Sequence, residues 1–469
     1  MERKGVRFGW KNWLIVLLVG LAGQLAWVIE NNQINLWVYS QTQNSNYITI
    51  MTTVSAVAAT LTTFFMGVLS DRLGKRKIFI AGGYVLWGIS VGAFGLASFS
   101  NMEAMFGAAS AALAVGISMA LLDTVMTFFG STSNDACFNA LVTDITVREN
   151  RGKVESVLSV LPLVANVVML FAQMLCGANA DLDPEMSIAE NAAKTAGGWQ
   201  LFFLIFGIVV VIVGIASFFL IDDSHLEPRK EGNYWANLFY GFRPSVVKKN
   251  GRLYLALLTF MAFNAAVDSF LPYYMVYFQN PVELGGLGYS GDNVFLFYLA
   301  FAIILVLSAA VAIVAGVFME RLGKRNLIYP AMGLGLLGSL LLAAVPNPEP
   351  WFVIIAATIL MSGYLVGTAC LGAIVRDYTP KGEVGLFQGV RMIFAVMIPM
   401  IVGSNVSQLV FNLTSELYES TTTFEEIYAP NANMFYVAAA FMALAVIPGS
   451  FFFFAERKTR QEGPEEKPE

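Results

Sequence analysis

Long apolar runs alternate with short clusters of Lys and Arg along this chain, and that alternation is what most limits its fold. A helix needs about 20 apolar residues to cross the ~30 Å hydrocarbon core of a bilayer. Runs of that order stand at 12–39, 47–70, 78–99, 104–146, 154–178, 198–221, 252–278, 292–319, 327–345, 350–376, 385–412 and 431–455. Twelve such runs predict an all-α polytopic membrane protein with twelve transmembrane helices. Composition agrees: 57% of the residues are hydrophobic and 13% are charged, where a soluble chain carries about 25% charge.

The basic residues sort by side. They fall in the N-terminal tail, in 72–77, 148–153, 229–252, 321–325 and 376–381, and in the C-terminal tail. Of 28 Lys and Arg, Lys194 alone lands opposite and Arg391 lies within a span. This positive-inside bias puts both termini in the cytoplasm. The expected location is a plasma (inner) membrane. No small-residue cleavage site follows "MERKGVRFGWKNW", so the first helix is expected to remain as a span.

Several function classes find no support. Cys137, Cys176 and Cys370 sit in apolar runs, without disulfide or zinc spacing, and His225 is the single histidine. No Gly-rich phosphate loop or Ser/His arrangement is present. The expectation is no enzyme, no metal, no cofactor and no nucleic-acid partner, with transport driven by gradients rather than ATP. The 178–197 stretch reads as a solvated linker, and "QEGPEEKPE" as a disordered tail.

The 104–146 segment is too long for one straight span, because 43 helical residues would cover about 65 Å. Its flanking basic loops demand an odd number of crossings. It reads as one crossing with a long outer extension and a break at Gly130-Ser131-Thr132-Ser133, exposing carbonyls beside Asn134 and Asp135.

An internal repeat divides the chain. "GVLSDRLGKRK" (67–77) recurs as "GVFMERLGKRN" (316–326), and "TDITVRENRGKVESV" (143–157) aligns with "RDYTPKGEVGLFQGV" (376–390). The second alignment matches Asp144 with Asp377 and Gly152 with Gly385. The expected domains are a six-helix bundle at 1–221, a cytoplasmic linker at 222–251 and a second six-helix bundle at 252–469. Parallel six-helix repeats are the architecture of major facilitator transporters.

Gly67, Asp71, Arg72, Gly74, Lys75 and Arg76, echoed by Glu320 and Arg321, resemble the loop 2–3 signature of that superfamily. "NDACFNALVTDIT" (134–146) resembles helix IV of the glycoside–pentoside–hexuronide cation symporters, with Asp135 at the cation- and sugar-site aspartate of melibiose permease. "ALVTDI" and "GQLAWVIENNQINLWV" (23–38) resemble sucrose carriers, with Glu30 at an acidic position that some of them share. There are departures. Ala59 and Thr63 stand where melibiose permease has two further acids that hold sodium, and its helix I acid falls near Gln24. The resemblance therefore implies coupling to protons rather than sodium.

A carboxylate inside a span is a functional candidate because burying it is expensive. Glu30, Asp135 and Asp268 are the principal ones, with Glu30 and Asp268 at similar depths in equivalent helices. Asp123 reads as interfacial and solvated, near the outer end of its helix. Gln24, Trp27 and Asn31 share a helix face, and a ring with amides beside it suits a polyol; helix–helix hydrogen bonding is the competing use. Asn134, Asn139 and Asn264 are further candidates. Asp144 reads as a structural or gating acid paired with Arg148 or Arg151, and Arg391 as a partner for Asp377. The expected function is proton-coupled symport of a sugar or glycoside by rocking of two halves, the carrier acting as a monomer. The alternatives are a facilitator carrier for a drug, nucleoside or lysolipid, and a transport-inactive membrane sensor. Pro162 has no Gly beside it, so the Gly-Pro motif of drug exporters is missing from "LPLVANVVMLFAQMLCG" (161–177).

Overall fold

Backbone polar groups cannot go unpaired in lipid, and helix pairs them within each apolar run. The structure, a computed structural model, describes residues 8–146, 148–223, 240–344, 349–380, 384–414 and 428–461. Among them, 11 helices are long and apolar enough to cross a membrane. They are α1 (Trp10–Thr42), α2 (Asn46–Leu73), α3 (Lys77–Leu96), α4 (Ala108–Ile145), α5 (Arg148–Cys176), α6 (Ile188–Leu220), α8 (Val294–Leu322), α9 (Lys324–Ala344), α10 (Pro350–Tyr378), α11 (Gly389–Thr414) and α12 (Asn433–Gln461). The remaining predicted span is interrupted. α7 runs Gly251–Asp268, and after a turn containing Pro272 a short helix follows at Tyr274–Gln279. Proline lacks the amide hydrogen that would continue the helix.

The long fourth segment is built differently from the sequence expectation. It does not break at Gly130–Ser133. The break lies at Gly107, whose φ of 83° separates the short helix Phe99–Phe106 from α4. Such a φ suits glycine and strains other residues. Within α4, Ser131–Phe138 winds as π-helix. Hydroxyls hold it together: Thr132 Oγ1 donates to Phe128 O at 2.7 Å and Ser133 Oγ to Phe129 O at 2.6 Å. The widened turn is thus satisfied locally and does not open. The 178–197 stretch also differs from a solvated linker. Ala178 and Ala180 are fully buried, Lys194 pairs with Asp181 at 2.8 Å, and Ser187 with Glu190 forms a capping box that starts α6.

The chain divides into two units. Unit 1 holds 1–231, 272–294 and 416–429; unit 2 holds 232–271, 295–415 and 430–469. Inside unit 1, α1 packs on α5 and α6, and α3 on α4 and α6. Inside unit 2 the equivalent pairs recur: α7 on α11 and α12, and α9 on α10 and α12. The internal repeat of the sequence is therefore repeated in packing. Close backbone approach makes the α3–α6 seam, where a β-carbon on Gly88 would lie 2.6 Å from Gly207 O. Small residues serve this purpose between membrane helices. Large apolar side chains such as Leu121, Ile212 and Ile313 stay exposed, as lipid-facing surfaces require.

Residues 272–294 are anchored to unit 1 by polar contacts. Tyr273 and Thr49 hydroxyls lie 2.6 Å apart, Asn280 Nδ2 donates to Tyr39 Oη at 3.0 Å, and Gln279 Oε1 accepts from Ala180 N at 3.0 Å.

Candidate functional site

In unit 1 both polar motifs of the sequence fall on π-helical turns. Ile29–Gln33 of α1 carries Glu30, and Ser131–Phe138 of α4 carries Asp135. A π turn inserts an extra residue, realigns the side chains that follow and is frequent at functional sites. Glu30 is 7% exposed and accepts from Thr127 Oγ1 at 2.8 Å. Its partner is therefore on α4 rather than among its own neighbours. Asp135 is partly buried and accepts from Ser131 Oγ at 3.2 Å.

Asp123 overturns its sequence reading as a solvated, interfacial acid. It is 3% exposed and accepts a short hydrogen bond from Ser55 Oγ of α2. Ser55 Oγ also lies 3.1 Å from Thr127 Oγ1. Glu30, Thr127, Ser55 and Asp123 thus lie in series across α1, α2 and α4. None of Glu30, Asp123 and Asp135 has a Lys or Arg partner among the described residues. Thr127 and Ser55 are the candidates that sequence reasoning missed; Asp123 is among its in-span carboxylates but reads there as solvated. A signal was present: Asp123, Thr127, Ser131 and Asp135 recur every fourth residue and mark one polar stripe along α4.

The aromatic and amide groups divide between two jobs. Trp27 stands edge-on to Trp87, centroids 5.1 Å apart, and is half-buried like Gln24. Asn31 is exposed and turns its amide back to Trp27 O at 2.8 Å. These three keep polar or aromatic surface available. Asn35 instead donates to Asn31 O, and Gln41 braces Ala192 O, Thr195 and Phe99 N. Asn139 donates to Asp135 O at 3.1 Å. Asn134 is buried in a notch at Gly23, beside Tyr84, with Nδ2 unbonded among the described residues.

In unit 2, Asp268 is the last residue of α7 and is partly buried, with Tyr364 of α10 in electrostatic reach. Asn264 Nδ2 donates to Ala395 O at 2.6 Å, within the π turn Ile393–Met397 of α11. This bond between α7 and α11 commits the amide to packing.

The repeated charge motifs form an ion network in each unit. Arg76 reaches Asp71 at 2.5 Å and Asp144 at 3.3 Å, and Asp223 accepts from the backbone amides of Arg76 and Lys77. Burial works against the Arg76 charge, but the two carboxylates outweigh it and hold the guanidinium above its ordinary value. Gly74 (φ 61°) ends α2 and turns the chain toward Arg76; Gly67, Arg72 and Lys75 flank this network. Asp144 pairs with Arg76; the side chains of Arg148 and Arg151 lie outside the described residues. In the second copy Asp377 pairs with Lys324 at 2.5 Å, not with Arg391, which is exposed at the head of α11. Lys324 is the repeat mate of Lys75, and it reaches Asp377 directly from the start of α9. The side chains of Glu320 and Arg321 are outside the described residues.

The sequence profile of the Major Facilitator Superfamily matches residues 13–404. The chain belongs to the major facilitator superfamily. As a facilitator it is a multi-pass membrane transport protein, embedded in a lipid bilayer and acting on a small molecule, in a family of transporters rather than enzymes. Magnetosome protein MamH of Paramagnetospirillum magneticum is 23% identical over 330 residues, covering 69% of this chain and 68% of that protein. A mutant of the nucleoside transporter NupG shares the fold at a TM-score of 0.67 and 11% identity, covering 94% of this chain and 100% of that one. A D-xylose-proton symporter does so at 0.65 and 14%, covering 94% and 97%.

Proposed function

We propose that this facilitator is a proton-coupled symporter of a sugar or glycoside, of the glycoside–pentoside–hexuronide type, working by alternating access. The observation that carries the reading is a set of three carboxyls, Glu30, Asp123 and Asp135, held inside unit 1 without a cationic partner among the described residues. An unpaired buried charge is costly, and taking up a proton removes it. A carrier whose acids are neutralised before occlusion links cargo movement to proton movement. Trp27, Gln24 and Asn31 supply a ring and amides for a polyol, and Asp135, Asn134 and Asn139 lie on the segment that resembles the sugar symporters. Asp268, with Asn264 beside it, is the corresponding acid of unit 2. The absence of helix II acids at Ala59 and Thr63 favours protons over sodium. The carrier acts as a monomer in the plasma membrane, both termini cytoplasmic.

A nucleoside is the second reading. Its ribose hydroxyls and flat base suit the same ring and amides, and the NupG likeness in fold is compatible with it. The test uses proteoliposomes holding a pH-sensitive dye. Acidification on adding one of a panel of mono- and disaccharides, without sodium, supports the proposal. Acidification with nucleosides alone selects the second reading. Uptake abolished when choline replaces sodium overturns the proton assignment.

A further inference from the structure

Glu30 Oε1 lies 2.8 Å from Thr127 Oγ1, and Thr127 Oγ1 lies 3.1 Å from Ser55 Oγ. Ser55 Oγ makes a short contact to Asp123 Oδ2. Three oxygen–oxygen contacts therefore join two carboxyls through two hydroxyls. A hydroxyl brings one hydrogen, an ionised carboxylate none. With both acids ionised, two hydrogens serve three contacts. Each hydroxyl then turns to its carboxylate, and the Thr127–Ser55 contact sets lone pair against lone pair.

One added proton completes the series. With the proton on Glu30, Glu30 donates to Thr127, Thr127 to Ser55 and Ser55 to Asp123. With it on Asp123, every bond reverses. Passage between the two breaks three O–H bonds and makes three, and moves the negative charge from one carboxyl to the other. No further atom or electron is needed. A second proton would leave two carboxyl donors pointing into a series that already holds one donor per contact.

The surroundings favour holding that proton. Glu30 Oε2 and Asp123 Oδ1 are buried with no hydrogen-bond partner among the described residues. The other titratable groups on α1 to α4 are Tyr39 of α1, Tyr47 and Asp71 of α2, Tyr84 of α3, and Asp135, Cys137 and Asp144 of α4, with Tyr273 against α2 at Thr49; α5 and α6, which pack on α1, carry Lys153, Cys176, Glu190 and Lys194 among the described residues. The basic residues of α1, α2 and α3 stand at their ends, at Lys11, Arg72 and Lys77, and α4 has none. Among the described residues no Lys or Arg pairs with either acid to offset two negative charges.

We propose that Glu30 and Asp123 share a single proton through Thr127 and Ser55, making Asp123 the second half of one proton-binding unit. Its use in transport rests on the symport reading above; the proton itself is measurable without transport.

The experiment is infrared spectroscopy of the full chain in lipid nanodiscs, following the protonated-carboxyl C=O band across a pH titration with no substrate present. An amide N–H can stand in for the shared proton, so Glu30→Gln and Asp123→Asn should each remove the same single-proton band. The double variant should remove no more than either alone. Thr127→Val, which keeps both acids and cuts the series, should replace one titration step by two. The proposal is overturned if Asp123→Asn leaves the Glu30 band intact, if the double variant loses two bands, or if Thr127→Val leaves one step. Wild-type-like elution of Thr127→Val on size exclusion keeps the test valid where an acid variant misfolds. If the shared band is found and no sugar or nucleoside moves protons, the pair stands and the symport reading falls.

Discussion

The amide of Asn134 fills the space that a β-carbon on Gly23 would occupy: that carbon would sit 1.9 Å from Asn134 Nδ2 and 2.6 Å from Tyr84 Oη. The π-helical stretch of α4 is therefore seated in a notch on α1. Gly23→Ala should overpack this contact, at about 1–3 kcal/mol, and lower the detergent melting temperature. Adding Asn134→Ala should recover part of the loss. A double variant whose losses simply add would show that the two residues do not touch.

The two copies of the charge motif should differ in weight. Arg76 is 9% exposed at its side chain and holds two carboxylates, whereas Lys324 and Asp377 are 34% and 56% exposed. Removing a buried, doubly bonded guanidinium strands its partners, so Arg76→Ala should cost about 2–4 kcal/mol. Lys324→Ala should cost about 0–1 kcal/mol. Thermal unfolding of both variants in one detergent reads the difference, and equal losses would refute it.

Gln41 should be structural. Its amide satisfies Ala192 O, Thr195 Oγ1 and Phe99 N in a fully buried position. Gln41→Leu strands those groups at about 1–3 kcal/mol for each left unsatisfied. The melting temperature should fall while the apparent substrate affinity of the surviving carrier stays unchanged. A shifted affinity with an unchanged melting temperature would place Gln41 at the ligand.

Asp135 accepts from Ser131 alone among the hydrogen bonds described for its carboxylate. Asp135→Asn should preserve that bond and the fold while deleting the titratable group. Substrate counterflow should persist and accumulation against a gradient should stop. Accumulation at wild-type level would remove Asp135 from the coupling machinery.

Apolar runs and the repeated basic motif were enough to read the helices, because lipid leaves a chain so little choice of backbone. Polar contacts were less legible. Asp123 reads as solvated from its place toward the outer end of its helix, but α2 packs over it and Ser55 supplies its hydroxyl partner, a contact between helices that a single stretch of sequence does not show. The four-residue spacing of Asp123 to Thr127 was the usable clue. The bond from Asn264 to Ala395 depends on a π turn that no local pattern announces, and the Lys324–Asp377 pair depends on which of several neighbouring cations reaches first.

The chain changes unit at 231–232, 271–272, 294–295, 415–416 and 429–430, so each unit is assembled from separate stretches of sequence. A gene split in the 222–251 linker would leave the first polypeptide without the segment that bonds Tyr39, Thr49 and Ala180. Each half made alone is an incomplete object, and activity from a split carrier would require both pieces to be synthesised together.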